Sequence, residues 1–161
     1  MKPKAIPPYA GLAARALVGA VLVYAGATKA AGPTEEFALV IGSYDVLPRE
    51  MILTAATFLP WVEILLGWAV ILGFRLREAA IGAGALFGAF LLALVMVQLK
   101  GIELPNCGCL GDAVHFTPLQ ASLFDTCLTA LSWLAWKSAP ARLSLDSWTE
   151  GGYTGPTHGH R

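Results

Sequence analysis

Residues 79–99 read AAIGAGALFGAFLLALVMVQL and contain no charged side chain. A helix of this length covers about 30 Å, which is the thickness of the hydrocarbon core of a bilayer. Its Gly84 and Gly88 form a GxxxG motif, which predicts close packing against another helix. The runs 9–31 and 52–73 are similarly apolar, and 118–136 is shorter and more polar. We therefore predict four transmembrane helices.

The composition of the whole chain also indicates a membrane protein. Of its 161 residues, 56% are hydrophobic and 14% are charged, whereas soluble domains average about 25% charged residues. High hydrophobicity with low charge excludes a disordered chain. The 11 basic and 11 acidic residues balance, so there is no basic excess for binding nucleic acid. We predict an all-α, integral membrane four-helix bundle whose partners include the lipid bilayer and no nucleic acid.

The basic residues in the short loops predict the orientation, because such loops stay in the cytoplasm. Basic pairs precede the first helix, separate the second from the third and follow the fourth: Lys2 and Lys4, Arg75 and Arg77, and Lys137 and Arg142. The bundle, 9–137, is therefore expected to lie N-in/C-in in the bacterial inner (plasma) membrane. The tails 1–8 and 138–161 are predicted to be cytoplasmic, the second one flexible. The loops 32–51 and 100–117 would face the periplasm.

The first helix has an alternative interpretation as a signal peptide, since basic residues precede it and small residues occur at 25–27. Arg15 leaves only a short uncharged core before it, which favours a transmembrane helix. Either interpretation leaves the other three helices unchanged.

The loop 32–51 carries a helical pattern. We predict a short amphipathic helix on the outer face, between the first and second transmembrane helices. The prediction rests on Thr34 as its N-cap, on apolar residues at helical spacing and on a proline that ends it, namely Phe37, Val40, Ile41, Tyr44 and Pro48.

The three cysteines are too few for a disulfide framework, but Cys107 and Cys109 are separated only by Gly108. A disulfide between them would close a small, strained ring, and strained, exposed disulfides suit exchange better than stapling. We predict that Cys107 and Cys109 form the catalytic pair of a membrane thiol–disulfide redox or maturation protein. The pair would face the outer side and exchange with a thiol or disulfide protein, either thioredoxin-like or a cysteine-rich client.

Two alternatives use the same cysteines. A non-catalytic assembly factor would hold a client through them, and a soft-metal carrier would add His115 as a third ligand. The loop offers no fourth ligand and no closed zinc spacing, so we predict no metal site. Cys127, about nine residues into the fourth helix, is predicted to be a small buried residue.

Four charged residues fall within the predicted helices: Arg15, Lys29, Glu63 and Asp125. An acid at membrane depth needs a partner, water or a proton. By depth, Arg15 is the expected partner of Glu63, and Lys29 is expected to snorkel to the outer surface. The group would either order the bundle or handle protons, and it could line a site for a lipid quinone, the cofactor that we consider. Asp125 would share that cavity or meet headgroup water.

Over residues 9–136 the sequence resembles the MauE branch of the DoxX-like membrane proteins. The resemblance rests on Arg15, Gly19, Ala25-Gly26, Lys29, Phe37, Tyr44, Leu47-Pro48, Leu59-Pro60, Glu63, Gly67 and the run Cys107 to Gly111. It implies a four-helix membrane protein linked to methylamine utilisation, which assists maturation of the cysteine-rich small subunit of methylamine dehydrogenase. The sequence departs from the family where Leu110 replaces a phenylalanine and where Phe124 replaces an arginine before Asp125.

Overall fold

The computed structural model describes residues 8–102, 117–138 and 145. The regular elements in these residues are all α-helices, which confirms the predicted class. They are α1 (Pro8–Ala31), α2 (Thr34–Ser43), α3 (Arg49–Leu72), α4 (Leu76–Leu99) and α5 (Pro118–Lys137).

Three of these helices are long and apolar enough to cross a membrane: Tyr9–Ala31, Arg49–Leu72 and Leu76–Leu99. The second and third begin three residues before the predicted starts at 52 and 79. The helix α5 forms where the fourth span was predicted, but it is not among these three apolar helices. The polar residues on α5 explain this difference, because they lower its hydropathy.

The helices α1 and α3 pack antiparallel along most of their length. Arg15 near the start of α1 contacts Ile71 near the end of α3, whereas Lys29 near the end of α1 contacts Glu63. The helix α2 lies against α3 and touches α1.

The helices α4 and α5 form the second antiparallel pair. The Gln98 amide donates to the Ser122 hydroxyl at 2.9 Å, and Gly84 faces Ser132. The helix α5 also packs against α1, and α3 against α4. The largest cluster of buried apolar residues in the described part of the chain comprises Val18, Leu22, Val70, Ala79, Ala83, Phe87 and Leu128.

The helices α1 and α3 approach each other closely at glycines. A Cβ atom on Gly19 would lie 2.7 Å from the carbonyl oxygen of Gly67, and one on Gly67 would lie 2.8 Å from that of Gly19. By contrast, a Cβ atom on Gly88 would meet nothing within 4 Å, and one on Gly84 would meet Ser132 at 3.5 Å. The prediction that the GxxxG motif of α4 mediates close packing is therefore confirmed only in part, because Gly84 contacts α5 and Gly88 contacts no other helix in the described part of the chain. The tight contact uses one glycine from each of two helices, a pattern that no local motif reveals.

Local sequence explains where the helices begin and end. Gly73 adopts a left-handed conformation, with φ of 67°, and ends α3 before the turn into α4. Thr117 and Gln120 form a capping box at the start of α5, with Pro118 as its first residue. The predicted N-cap of α2 is wrong by one residue, because Pro33 occupies that position and Thr34 is the first helical residue.

A salt bridge holds the turn after α2 to the end of α4. The Lys100 ammonium donates to the Asp45 carboxylate at 2.9 Å and to the Asp45 carbonyl oxygen at 2.6 Å. The adjacent Lys100 ammonium lowers the pKa of the Asp45 carboxyl below its usual value. The bond thus ties the α2–α3 turn to the end of the bundle from which 103–116 continues.

Candidate functional site

A buried ion pair joins α1 to α3. The Lys29 ammonium lies 2.7 Å from Oε1 and 2.9 Å from Oε2 of Glu63. Only 2% of the Lys29 side chain and 1% of the Glu63 side chain are exposed. Because a charge without a counterion is costly in this environment, each side chain requires the other.

Glycine at position 26 permits this pairing. A Cβ atom on Gly26 would lie 2.5 Å from the carbonyl oxygen of Pro60 and 3.0 Å from the Cβ atom of Glu63. A larger residue at position 26 would therefore clash with Pro60 and Glu63 and push α3 away from α1. Lys29 lies three residues further along α1, on the same face of the helix, and its side chain reaches the carboxylate directly.

Two aromatic rings flank the Lys29 ammonium. Its nitrogen lies 5.6 Å from the ring centre of Phe37 on α2 and 5.4 Å from that of Phe90 on α4. Both distances are within the range of cation–π attraction. Residues of α2, α3 and α4 therefore all contact the Lys29 ammonium. The sequence contained no signal for Phe90, because it lies inside a continuous apolar run.

Asp125 lies close to the ion pair. The residue is buried in α5, and it lines a small cavity of about 10 Å³ together with Glu63 and Phe90. This volume corresponds to room for about one water molecule. Glu63 thus lies between Lys29 on one side and, on the other, a small cavity that is lined mostly by apolar side chains and reaches Asp125 of α5. This location agrees with the expectation that Asp125 and Glu63 share a cavity.

Arg15 has a different position from the one expected. Its guanidinium donates to the carbonyl oxygens of Val70 at 3.2 Å and Ile71 at 3.0 Å. These carbonyls belong to the last turn of α3, where helical partners run out, so Arg15 caps that helix. Val70 is seven residues from Glu63, about 10 Å of helical rise. The expected partnership of Arg15 with Glu63 is therefore wrong, as is the expected snorkelling of Lys29.

Of the three cysteines, the structure describes Cys127 alone. Cys107, Cys109 and His115 lie outside the described residues, so the predicted exchange pair and its metal alternative stay predictions. Cys127 is exposed on α5, which contradicts its expected burial. The physical reason is its position on the helix, since Asp125 and Leu128 occupy the inward face.

Seven of the residues that carried the family resemblance meet at one interface. Between α1 and α3 lie the helix cap, the glycine contact and the ion pair, formed by Arg15, Gly19, Gly26, Lys29, Pro60, Glu63 and Gly67. Residues scattered over some fifty positions of sequence are thus one structural unit.

The family described as "Methylamine utilisation protein MauE" matches residues 7–138. Comparisons with curated proteins and with solved structures gave no match. The match covers both sides of the α1–α3 interface and extends over the segment with Cys107 and Cys109. Its helices, three of them apolar enough to span a bilayer, are those of a membrane protein. The chain therefore belongs to the MauE family of methylamine utilisation proteins.

Proposed function

We propose that this protein is an accessory membrane protein of methylamine utilisation that exchanges disulfides through Cys107 and Cys109. The observation that carries the proposal is the family match over residues 7–138, which includes both cysteines. The client implied by the family is the cysteine-rich small subunit of methylamine dehydrogenase.

The proposal includes a four-span, N-in/C-in topology in the inner membrane. Arg75, Arg77 and Lys137 are at one end of the bundle, where the Arg77 guanidinium lies 5.7 Å from the Trp136 ring. Basic residues at one end favour a cytoplasmic location for it. The helices on either side of 103–116 meet at the opposite end, which also carries α2. This arrangement supports a periplasmic location for both cysteines.

The chemistry is a two-electron thiol–disulfide exchange. A client thiolate attacks one sulfur of the Cys107–Cys109 disulfide, which forms a mixed disulfide and releases the other sulfur as a thiolate. A second client thiolate then attacks the client sulfur of the mixed disulfide, so the client gains a disulfide and both cysteines are reduced. The disulfide of a thioredoxin-like partner reoxidises the pair by the same two steps and is itself reduced.

The four buried charged residues, Arg15, Lys29, Glu63 and Asp125, form the polar interior of this proposal. Lys29 and Glu63 fix α1 against α3, and Arg15 fixes the other end of the same interface. Glu63 and Asp125 adjoin a cavity with room for one water molecule, and they are the groups proposed to handle a proton.

Trapping of the mixed disulfide tests the proposal. Either Cys107→Ser or Cys109→Ser leaves one thiol that attacks a disulfide of the coexpressed dehydrogenase small subunit or of the thioredoxin-like partner, and the mixed disulfide then lacks the second cysteine of the pair that would resolve it, so we expect a covalent complex with one of these proteins. Non-reducing electrophoresis followed by mass spectrometry would identify the linked cysteines. Cys127→Ser is the matched control, since this cysteine is exposed on α5, and it should leave the exchange unchanged. Absence of a complex from both variants would contradict the proposed exchange.

A further inference from the structure

The helix α2 covers a cavity of about 400 Å³ between itself, α3 and α4. The walls are aliphatic and aromatic side chains, among them Phe37 and Tyr44 of α2, Leu59 of α3, and Phe90 and Ala93 of α4. Volumes of this size and apolar walls are typical of small-molecule sites. The cavity is separate from the small one beside Asp125.

Lys29 is the only charged residue among the described residues that line this cavity. Its ammonium has three N–H groups, and within the described residues its hydrogen bonds go to the two oxygens of Glu63. One N–H donor is therefore available to a ligand. Because the ion pair as a whole is neutral, an anionic ligand would compete with Glu63 and bring an uncompensated charge into an apolar site. The geometry selects a neutral molecule with an acceptor oxygen.

The rim of the cavity indicates the route of entry. Leu92 of α4 lines the cavity and is 57% exposed, and Leu47 beside α2 also lines it and is exposed. In a helix bundle that crosses a bilayer, leucines that are exposed on the bundle surface contact lipid, so a ligand would enter this cavity from the membrane. The ligand must then be lipophilic apart from the group that reaches Lys29.

We propose that this cavity binds a neutral lipophilic molecule whose carbonyl oxygen accepts a hydrogen bond from the Lys29 ammonium. The apolar body of the ligand packs on Tyr44, Leu59 and Ala93, and its carbonyl group lies between the rings of Phe37 and Phe90. This inference goes beyond the proposed disulfide exchange and does not depend on it, since the residues concerned do not include a cysteine.

Binding can be measured on the full chain in lipid nanodiscs with four probes. Decylubiquinone and decanoylglycerol are neutral and carry carbonyl groups, whereas dodecane has no acceptor and decanoate is an anion. We expect one or both carbonyl probes to bind and to raise the thermal unfolding midpoint. Binding of decylubiquinone alone indicates a quinone as the natural ligand class, and binding of decanoylglycerol alone indicates a lipid ester. Equal or tighter binding of dodecane or decanoate, or binding of no probe, would overturn the proposal.

Two variants locate the site. Ala93→Phe fills the cavity and should weaken binding of the carbonyl probe at least tenfold, about 1.4 kcal/mol. Its matched control, Ala85→Phe, changes an exposed residue of the same helix that does not line the cavity, and it should leave binding unchanged. The double variant Lys29→Met/Glu63→Gln removes both charges together and should also weaken binding. Unchanged affinity in either Ala93→Phe or the double variant would exclude this cavity or this donor.

Discussion

The Lys29–Glu63 ion pair is held from several directions at once. The carboxylate accepts from one ammonium through both oxygens, and rings from α2 and α4 flank that ammonium. Burial of the pair removes both charges from water, so the direct interaction must compensate for lost hydration. The pair therefore adds little net stability. Its main effect is to fix the register of α1 against α3.

This interpretation predicts a specific pattern in a double-mutant cycle. Glu63→Gln and Lys29→Met each leave one buried charge without its counterion, and each should destabilise the protein by about 3–5 kcal/mol. The double variant Lys29→Met/Glu63→Gln should recover most of this loss, because neither charge remains. The measurement is the unfolding free energy of the purified protein in detergent.

The control is the exposed pair Arg75–Glu78, three residues apart at the start of α4. Glu78→Gln should change the unfolding free energy by no more than about 0.5 kcal/mol, because exposed ion pairs contribute little. A double variant of Lys29 and Glu63 that is no more stable than its single variants would show that the two side chains do not act as a pair.

The α1–α3 interface depends on glycine in the middle of both helices. Gly19 and Gly67 face each other closely. A Cβ atom added to either glycine would lie less than 3 Å from the carbonyl oxygen of the other. Glycine is unfavourable inside a helix by about 0.5–1 kcal/mol relative to alanine. Its presence here is explained by close backbone approach, which is how helices associate inside a membrane. The same contact brings Lys29 within reach of Glu63.

Alanine substitution at two glycines should therefore have opposite effects. Gly67→Ala introduces a Cβ atom 2.8 Å from the Gly19 carbonyl oxygen, and we expect a destabilisation of about 1–3 kcal/mol through overpacking. Gly88→Ala adds a methyl group into open space, so it should be neutral or stabilise by up to about 1 kcal/mol. Unfolding in detergent measures both. A larger loss of unfolding free energy in Gly88→Ala than in Gly67→Ala would instead identify the GxxxG motif of α4 as the main packing site.

Considered as a whole, the fold was predictable from hydropathy, whereas the contacts of its polar residues were not. Length and apolarity placed all four long helices to within three residues at each end. The partner of Glu63 was assigned by depth along the chain, and depth alone cannot decide between Arg15 and Lys29. That decision depends on how α1 slides along α3, which the glycine contacts fix. The direction of Cys127 depends likewise on how α5 rotates against α1 and α4.

At the scale of the molecule, the membrane position of α5 leads to a testable prediction. This helix has 20 residues, long enough to cross, and it packs antiparallel to α4, which is one of the apolar spans. If α5 crosses the bilayer, Cys127 lies about 13 Å from the start of the helix by its helical rise, near the middle of the hydrocarbon core. Its exposed side chain would then face lipid. If α5 instead lies at the membrane surface, the same side chain would meet water.

A spin label on Cys127 distinguishes these two arrangements. In a Cys107→Ser/Cys109→Ser background, the label should collide readily with oxygen, which concentrates in the bilayer, and rarely with a water-soluble nickel complex. Thr117→Cys, placed at the start of α5 in a background that also lacks Cys127, serves as the control and should show the opposite preference, because it caps the helix at the membrane surface. Equal access of the nickel complex to both positions would exclude α5 as a fourth span. It would also remove the argument that the basic end containing Lys137 and the loop 103–116 lie on opposite sides of the membrane.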